Sequence, residues 1–175
     1  MRTNKLIIAI VLVIAPVFSF AQSQFDKFED IEGVTSVIIT QKAFSLMSTI
    51  GAESDDEYMN LIKNITSLRV FATENSKVAI QMKTEAEKYL NKANLEELMR
   101  IKEDGSNVKI YIKEGSSENY VKELFMLVSE TNMNENDDTE TVIISLLGNI
   151  DLKQISKLTQ KMNLPGGEHL EKAQK

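Results

Sequence analysis

The chain has 175 residues, of which 42% are hydrophobic and 26% charged, and it contains two prolines, seven glycines and no cysteine. This composition excludes collagen-like, low-complexity and wholly disordered proteins, because it supplies enough apolar side chains for a core. The lack of cysteine excludes a disulfide-stapled scaffold and any cysteine-based metal, redox or nucleophile site. A formal charge of −6 argues against a nucleic-acid binder, since phosphate recognition needs a basic excess.

The first 21 residues have the three parts of a secretory signal peptide. Arg2 and Lys5 provide the positive start, residues 6–17 form an almost unbroken apolar run, and Ser19-Phe20-Ala21 supplies small residues at the positions that a signal peptidase reads. The run is too short to span a bilayer, and no cysteine follows it for lipid attachment. We therefore expect residues 1–21 to be removed and the protein to be periplasmic or secreted; an uncleaved anchor is the alternative.

The first half of the remaining chain alternates strands with helices. Residues 34–40 are β-branched and apolar on both faces, which predicts a central strand that is covered on both sides. Apolar residues at helical spacing predict a helix at residues 42–51, and a capping box at residues 54–57 predicts the start of a second helix. Residues 67–73 alternate and predict a strand, and residues 75–92 predict the longest helix.

The second half contains four predicted strands and a last helix. The strands cover residues 98–102, 107–113, 121–129 and 141–147, and turns that contain Gly, Ser and Asn join them. Asp151 is placed to cap the last helix, which ends at Pro165-Gly166-Gly167, with a frayed tail at residues 166–175.

The order β-α-α-β-α-β-β-β-β-α predicts one α+β domain over residues 22–165. We expect a largely antiparallel sheet with the helices packed on one of its faces.

The third and fourth strands give the most suggestive surface of the sequence. Each strand alternates apolar side chains with cations, and a hairpin must place both apolar sets on the core face. A register in which paired positions add up to 211 predicts Arg100 opposite Tyr111, Lys102 opposite Lys109, and a four-residue loop at residues 104–107. We use the term basic face for the five residues that then point outward: Arg100, Lys102, Lys109, Tyr111 and Lys113.

Two interpretations of the basic face are open. It is a docking surface for an anionic partner, in which Arg100 offers a fork of donors and Tyr111 a rigid contact area. Alternatively it is an ordinary solvated face of an antiparallel sheet, where lysines also discourage aggregation.

Residues 130–140 (ETNMNENDDTE) contain five carboxylates and no cation. Oxygen-bearing side chains at every second position are typical of a calcium loop. Counted from Asn132, however, the sixth position is Asp137 instead of glycine and the twelfth is Ile143 instead of glutamate. A solvated hairpin loop between the fifth and sixth strands is the preferred interpretation.

Catalytic patterns are weak throughout the sequence. The single histidine, His169, lies in the predicted tail, so a Ser-His-Asp arrangement needs that tail to fold back. Ser106 and Lys109 have the S-x-x-K spacing of the serine penicillin-binding enzymes, but that chemistry needs a helix start, and these residues lie in a predicted hairpin. We predict no catalytic residues, no metal site and no cofactor.

Four stretches of the chain stand out as family markers: residues 25–28 (FDKF), 33–37 (GVTSV), 97–105 (ELMRIKEDG) and 147–152 (LGNIDL). Through them the sequence resembles, over nearly the whole mature chain, a family of exported proteins from Gram-negative bacteria called domain of unknown function 4252. The resemblance implies an envelope location and a single domain, and it implies no activity.

An export signal, one domain and the lack of a convergent catalytic set together predict a non-enzymatic binding or interaction module of the cell envelope. Its partner is then an unknown protein or an anionic envelope component, with no nucleic acid and no membrane span after cleavage; the oligomeric state is open. Two alternatives remain. One is an envelope hydrolase whose polar residues meet only in three dimensions, and the other is a calcium-dependent module that uses residues 130–140.

Overall fold

The structure, a computed structural model, describes residues 24–50, 56–103, 105–117, 119–131 and 139–155. One 3-10 turn precedes the first strand and another follows the last, at Asp26–Phe28 and Leu152–Gln154. The helices and strands are, in chain order, β1 (Val34–Thr40), α1 (Gln41–Ile50), α2 (Asp56–Lys63), β2 (Ile65–Thr73), α3 (Ser76–Ala93), β3 (Glu96–Glu103), β4 (Ser106–Glu114), β5 (Tyr120–Thr131) and β6 (Thr139–Asp151).

The six strands form one sheet in the order β1-β2-β6-β5-β4-β3, and every neighbouring pair is antiparallel. The predicted α+β class with a largely antiparallel sheet is therefore confirmed. The prediction of a central β1 is wrong, because β1 lies at one edge and pairs only with β2 among the described strands. The centre is occupied instead by β6, which inserts between β2 and β5.

Helices cover both faces of this sheet, whereas the sequence predicted them on one face. On the α1/α2 face, Phe44 and Ile62 belong to the larger core, and on the α3 face, Met82 belongs to a second one. In β5, Met126 is buried in the first core and its neighbour Leu127 in the second. Because these central strands are apolar on both sides, each face of the sheet needs its own cover, and the helices divide between them.

The residues ahead of β1 complete the core of the α3 face. Phe25 and Phe28 are fully buried there. The side-chain amide of Gln24 donates a hydrogen bond to the carbonyl of Glu85 in α3, at 2.9 Å. Arg69 of β2 forms ion pairs with two carboxylates of the same leading segment. Apolar burial and ion pairs together hold this segment against the domain.

Side-chain caps fix the start of α3 and of the last turn. Oδ1 of Asn75 accepts hydrogen bonds from the backbone N–H groups of Lys77 and Val78 at 3.1 and 3.2 Å. The Asp151 carboxylate caps as predicted, since it accepts from the N–H of Lys153 at 3.0 Å, and within the described residues it caps a 3-10 turn. The predicted signal peptide, the capping-box Ser54, most of the predicted last helix and the predicted tail lie outside the described residues.

Two backbones approach closely where the pairing of β2 with β6 ends. Gly148 lies opposite Ile65 beside a shift in register, and its φ is +152°. A β-carbon on Gly148 would lie 2.3 Å from the carbonyl oxygen of Asn64. The N–H of Asn149 donates to that same oxygen at 2.9 Å. The bulge therefore requires glycine at this position.

Candidate functional site

The register of the β3–β4 hairpin differs from the predicted one. Arg100 lies opposite Lys109, and Glu103 lies opposite Ser106, so only two residues separate the paired strand ends. The register then shifts between Glu97 and Met99, which places Glu97 opposite Tyr111. The predicted pairing of Arg100 with Tyr111, the pairing of Lys102 with Lys109 and the four-residue loop are therefore wrong. A tight turn and a bulge at Leu98 replace them, and alternation of side chains specifies neither.

The five residues of the basic face nevertheless share one side of the sheet. Met99 and Ile110 pack against the core of the α1/α2 face, whereas Tyr111 packs against the core of the α3 face. Since side chains alternate along a strand, the cations of this hairpin point to the same side as Tyr111. Helix α3 packs mainly on β2, β5 and β6, so the hairpin extends beyond it.

Exposure varies across the basic face. The side chain of Arg100 is 53% exposed, and Lys102 and Lys113 are exposed as well. Lys109 and Tyr111 are half-buried. The face is therefore open to a partner at Arg100, Lys102 and Lys113, and anchored to the domain at Lys109 and Tyr111.

An acidic residue within the basic face orients its arginine. Oε2 of Glu97 accepts a hydrogen bond from Nη2 of Arg100 at 2.6 Å. This hydrogen bond is the main cause that lowers the pKa of Glu97. Burial, with the Glu97 carboxylate as a further cause, raises the pKa of Tyr111. Glu97 thus offsets one positive charge of the face while it holds the guanidinium in place.

A buried carboxylate lies at the border between the basic face and α3. Glu123 of β5 is only 4% exposed, and its Oε1 accepts a hydrogen bond from the hydroxyl of Tyr89 in α3. Lys113 lies directly opposite Glu123 on β4. Burial raises the pKa of Glu123, and the Tyr89 hydrogen bond and the Lys113 charge oppose that rise.

Sequence reasoning missed both acidic residues. Glu97 directly precedes the strand predicted at residues 98–102, and no partner was predicted for it from the sequence. For Glu123 a signal was available, because it alternates with Phe125 and Leu127 on the side of β5 that is buried under α3. A single acid in such a row predicts a buried carboxylate that needs a donor, here Tyr89.

The described residues bring no catalytic set together. Ser106 and Lys109 lie three positions apart on β4, so their side chains point to opposite faces of the sheet. No group of three or more His, Asp or Glu side chains in the described ranges is placed to hold a metal ion. His169 and most of the acidic 130–140 segment lie outside the described residues.

Residues 28–158 match the family described as Domain of unknown function (DUF4252). The chain belongs to this family. The matched range begins at the buried Phe28 and includes all six strands, so the family unit comprises the sheet together with its covering helices. No curated protein and no solved structure matched the chain. In the part of the chain that the structure describes, no helix has both the length and the apolar character needed to cross a membrane.

Proposed function

We propose that this member of the family is an exported, non-enzymatic binding module whose basic face docks an anionic partner, either a protein or an envelope component. The main observation in support is that four cations and a tyrosine lie together on an open part of the sheet, in a protein with a formal charge of −6. A positive surface on an acidic protein attracts anions locally while the rest of the molecule repels them.

The geometry of the face supports this proposal. Arg100 offers its guanidinium from an exposed position, and the hydrogen bond that it donates to Glu97 reduces the side-chain freedom that binding would otherwise remove. Tyr111 is half-buried against the core of the α3 face, so it presents a rigid ring. Lys102, Lys109 and Lys113 surround these two residues and add long-range attraction.

The docking role predicts that the basic face acts as a unit. We expect Arg100→Ala with Lys102→Ala to weaken capture of the partner by about 1–3 kcal/mol, which is roughly fivefold to 150-fold in affinity. The loss arises mainly in the association rate and reduces its dependence on salt. The measurement is cross-linking of the mature protein in its native envelope, followed by binding kinetics with the captured molecule at two salt concentrations.

The matched control removes the same charge from another exposed surface. Lys77→Ala with Lys83→Ala takes two exposed cations from α3 and leaves the basic face intact. Capture should then stay close to that of the unmodified chain. Equal capture by both double variants contradicts the docking role and leaves the basic face as a solvated surface.

The proposal that the protein is exported depends on its first 21 residues, and it can be tested separately from the docking role. If residues 1–21 are a signal peptide, the intact mass of the exported protein corresponds to a chain that begins at Gln22. A mass that includes Met1 to Ala21 in the envelope fraction contradicts cleavage. Recovery of the protein in the cytoplasm contradicts export itself.

A further inference from the structure

We infer that β1 is the docking edge for a second copy of this chain, and that two copies join β1 to β1 in antiparallel fashion to form one continuous sheet. The two outer strands of the described sheet, β1 and β3, differ in how they are protected. An unprotected edge strand offers unpaired backbone N–H and C=O groups to another strand.

The β1 strand itself carries none of the charges, prolines or bulges by which proteins block edge pairing. Its seven residues, VTSVIIT, include no charge, no proline and no glycine. Its register with β2 is continuous from Val34 to Thr40, without a bulge. Ile38 is 36% exposed and is one of the large apolar side chains that the described surface leaves open. Six of the seven residues are β-branched, a composition suited to an interior strand.

The β3 edge is protected in two ways. A shift in register between Glu97 and Met99 bends the strand. Its sequence, EELMRIKE, is also mostly charged. The β3 strand thus has features that oppose the addition of another strand, and the β1 strand has none of these features.

A second copy fits the β1 edge because the strand complements itself. A two-fold axis at Val37 places Val37 opposite its own counterpart, Ser36 opposite Ile38, and Val34 opposite Thr40. Each residue then faces one of the same parity, so the α1/α2 faces of both copies lie on the same side of the joined sheet. Two acidic chains repel each other, and an uncharged strand is where they approach at the lowest electrostatic cost.

Pairing of this kind is also closed. It uses both β1 edges and leaves the two charged, bulged β3 strands at the ends of a twelve-stranded sheet. Two copies therefore form a dimer and not a fibre.

The test changes the charge of two exposed positions in β1 and measures the oligomeric state of the mature chain. We expect the unmodified protein to sediment as a dimer that dissociates on dilution. Ser36→Lys with Ile38→Lys places like charges directly opposite each other across the two-fold axis, and we expect it to raise the dimer dissociation constant about tenfold or more. Ser36→Glu with Ile38→Lys places opposite charges there instead, and we expect it to keep the dimer.

A matched control lies on the other edge. Leu98→Lys adds a charge at an exposed leucine of β3 and should leave the dimer unchanged. Circular dichroism and thermal melts verify that each variant is folded. If the variants that change Ile38 do not fold, Ser36→Lys alone replaces them as the test of the β1 edge. A monomer at every concentration, a dimer that survives Ser36→Lys with Ile38→Lys, or a dimer that Leu98→Lys removes each overturns the inference.

Discussion

Replacing Gly148 with alanine will lower the free energy of unfolding by about 3–5 kcal/mol. The new β-carbon would lie 2.3 Å from the Asn64 carbonyl oxygen and 2.9 Å from the Cα of Ile65, and these backbone atoms have no rotamer that moves them away. The φ of +152° adds strain, since residues other than glycine rarely adopt it. Urea unfolding at fixed protein concentration measures the effect as a lower midpoint with an unchanged slope.

Gly33 provides the control for backbone strain alone. Its φ is +84°, but a β-carbon there would meet nothing closer than the Asn75 β-carbon, at 3.8 Å. Gly33→Ala should therefore lose only about 1–2 kcal/mol, the cost of a left-handed backbone conformation. If Gly148→Ala is no more destabilising than Gly33→Ala, the close approach of β6 to Asn64 is wrong.

The second large effect is expected at the buried pair between α3 and β5. Tyr89→Phe removes the hydrogen bond that the Glu123 carboxylate accepts from the Tyr89 hydroxyl, while the ring remains in place. We expect the free energy of unfolding to fall by about 1–3 kcal/mol, the range for a buried acceptor that loses its donor. Chemical denaturation measures this, and Tyr89→Phe in a Glu123→Gln background should cost less if the two groups are coupled.

The pH dependence of this pair follows from the raised pKa of Glu123. In the unfolded chain the carboxyl titrates near its usual value of 4.5, and in the folded protein it holds its proton to higher pH. Between these two pKa values the native state binds more protons than the unfolded state, so its stability falls as pH rises through that window. Below the window, this contribution to stability is fully present.

Glu123→Gln removes the titration and keeps an oxygen that accepts from Tyr89. We therefore expect this variant to gain stability relative to the unmodified protein as pH rises from about 4.5 towards neutrality. Tyr89→Phe should show the opposite trend, because the lost hydrogen bond matters most once the carboxylate is charged. A stability difference for Glu123→Gln that does not change with pH contradicts the buried, titrating carboxylate.

Local patterns predicted most helices and strands well. The alternation at residues 67–73 and 107–113 and the helical stripe of residues 75–92 identified β2, β4 and α3 to within two residues at each end. These elements carry a period of two or 3.6 residues, which local sequence displays directly. Whether helices cover one face of the sheet or both was harder to predict, because the answer depends on how apolar all of the strands are on each side.

The position of β1 was mispredicted for a related reason. VTSVIIT lacks a polar alternation, and such strands usually lie inside a sheet. The composition of a strand indicates that it is suited to a neighbouring strand on each side. It does not indicate whether those neighbours belong to the same chain or to another. The same sequence at an edge is what leads to the inferred pairing with a second copy.

For the candidate site, the sequence predicted which side chains share a face but not their partners. Parity alone placed Arg100, Lys102, Lys109, Tyr111 and Lys113 together, and a register error of two residues does not change parity. The bulge at Leu98, by contrast, decides that Glu97 faces Tyr111. It also depends on the local backbone, which alternation does not encode.

The central place of β6 determines when the sheet can be completed. Strands β1 and β2 pair with each other, and β3, β4 and β5 form a meander, so each group is built from neighbouring parts of the chain. The two groups share no strand pairing until β6, which ends at Asp151, comes between them. A growing chain that lacks β6 leaves an edge of β2 and an edge of β5 open. The complete six-stranded sheet therefore forms only after the chain has emerged as far as Asp151.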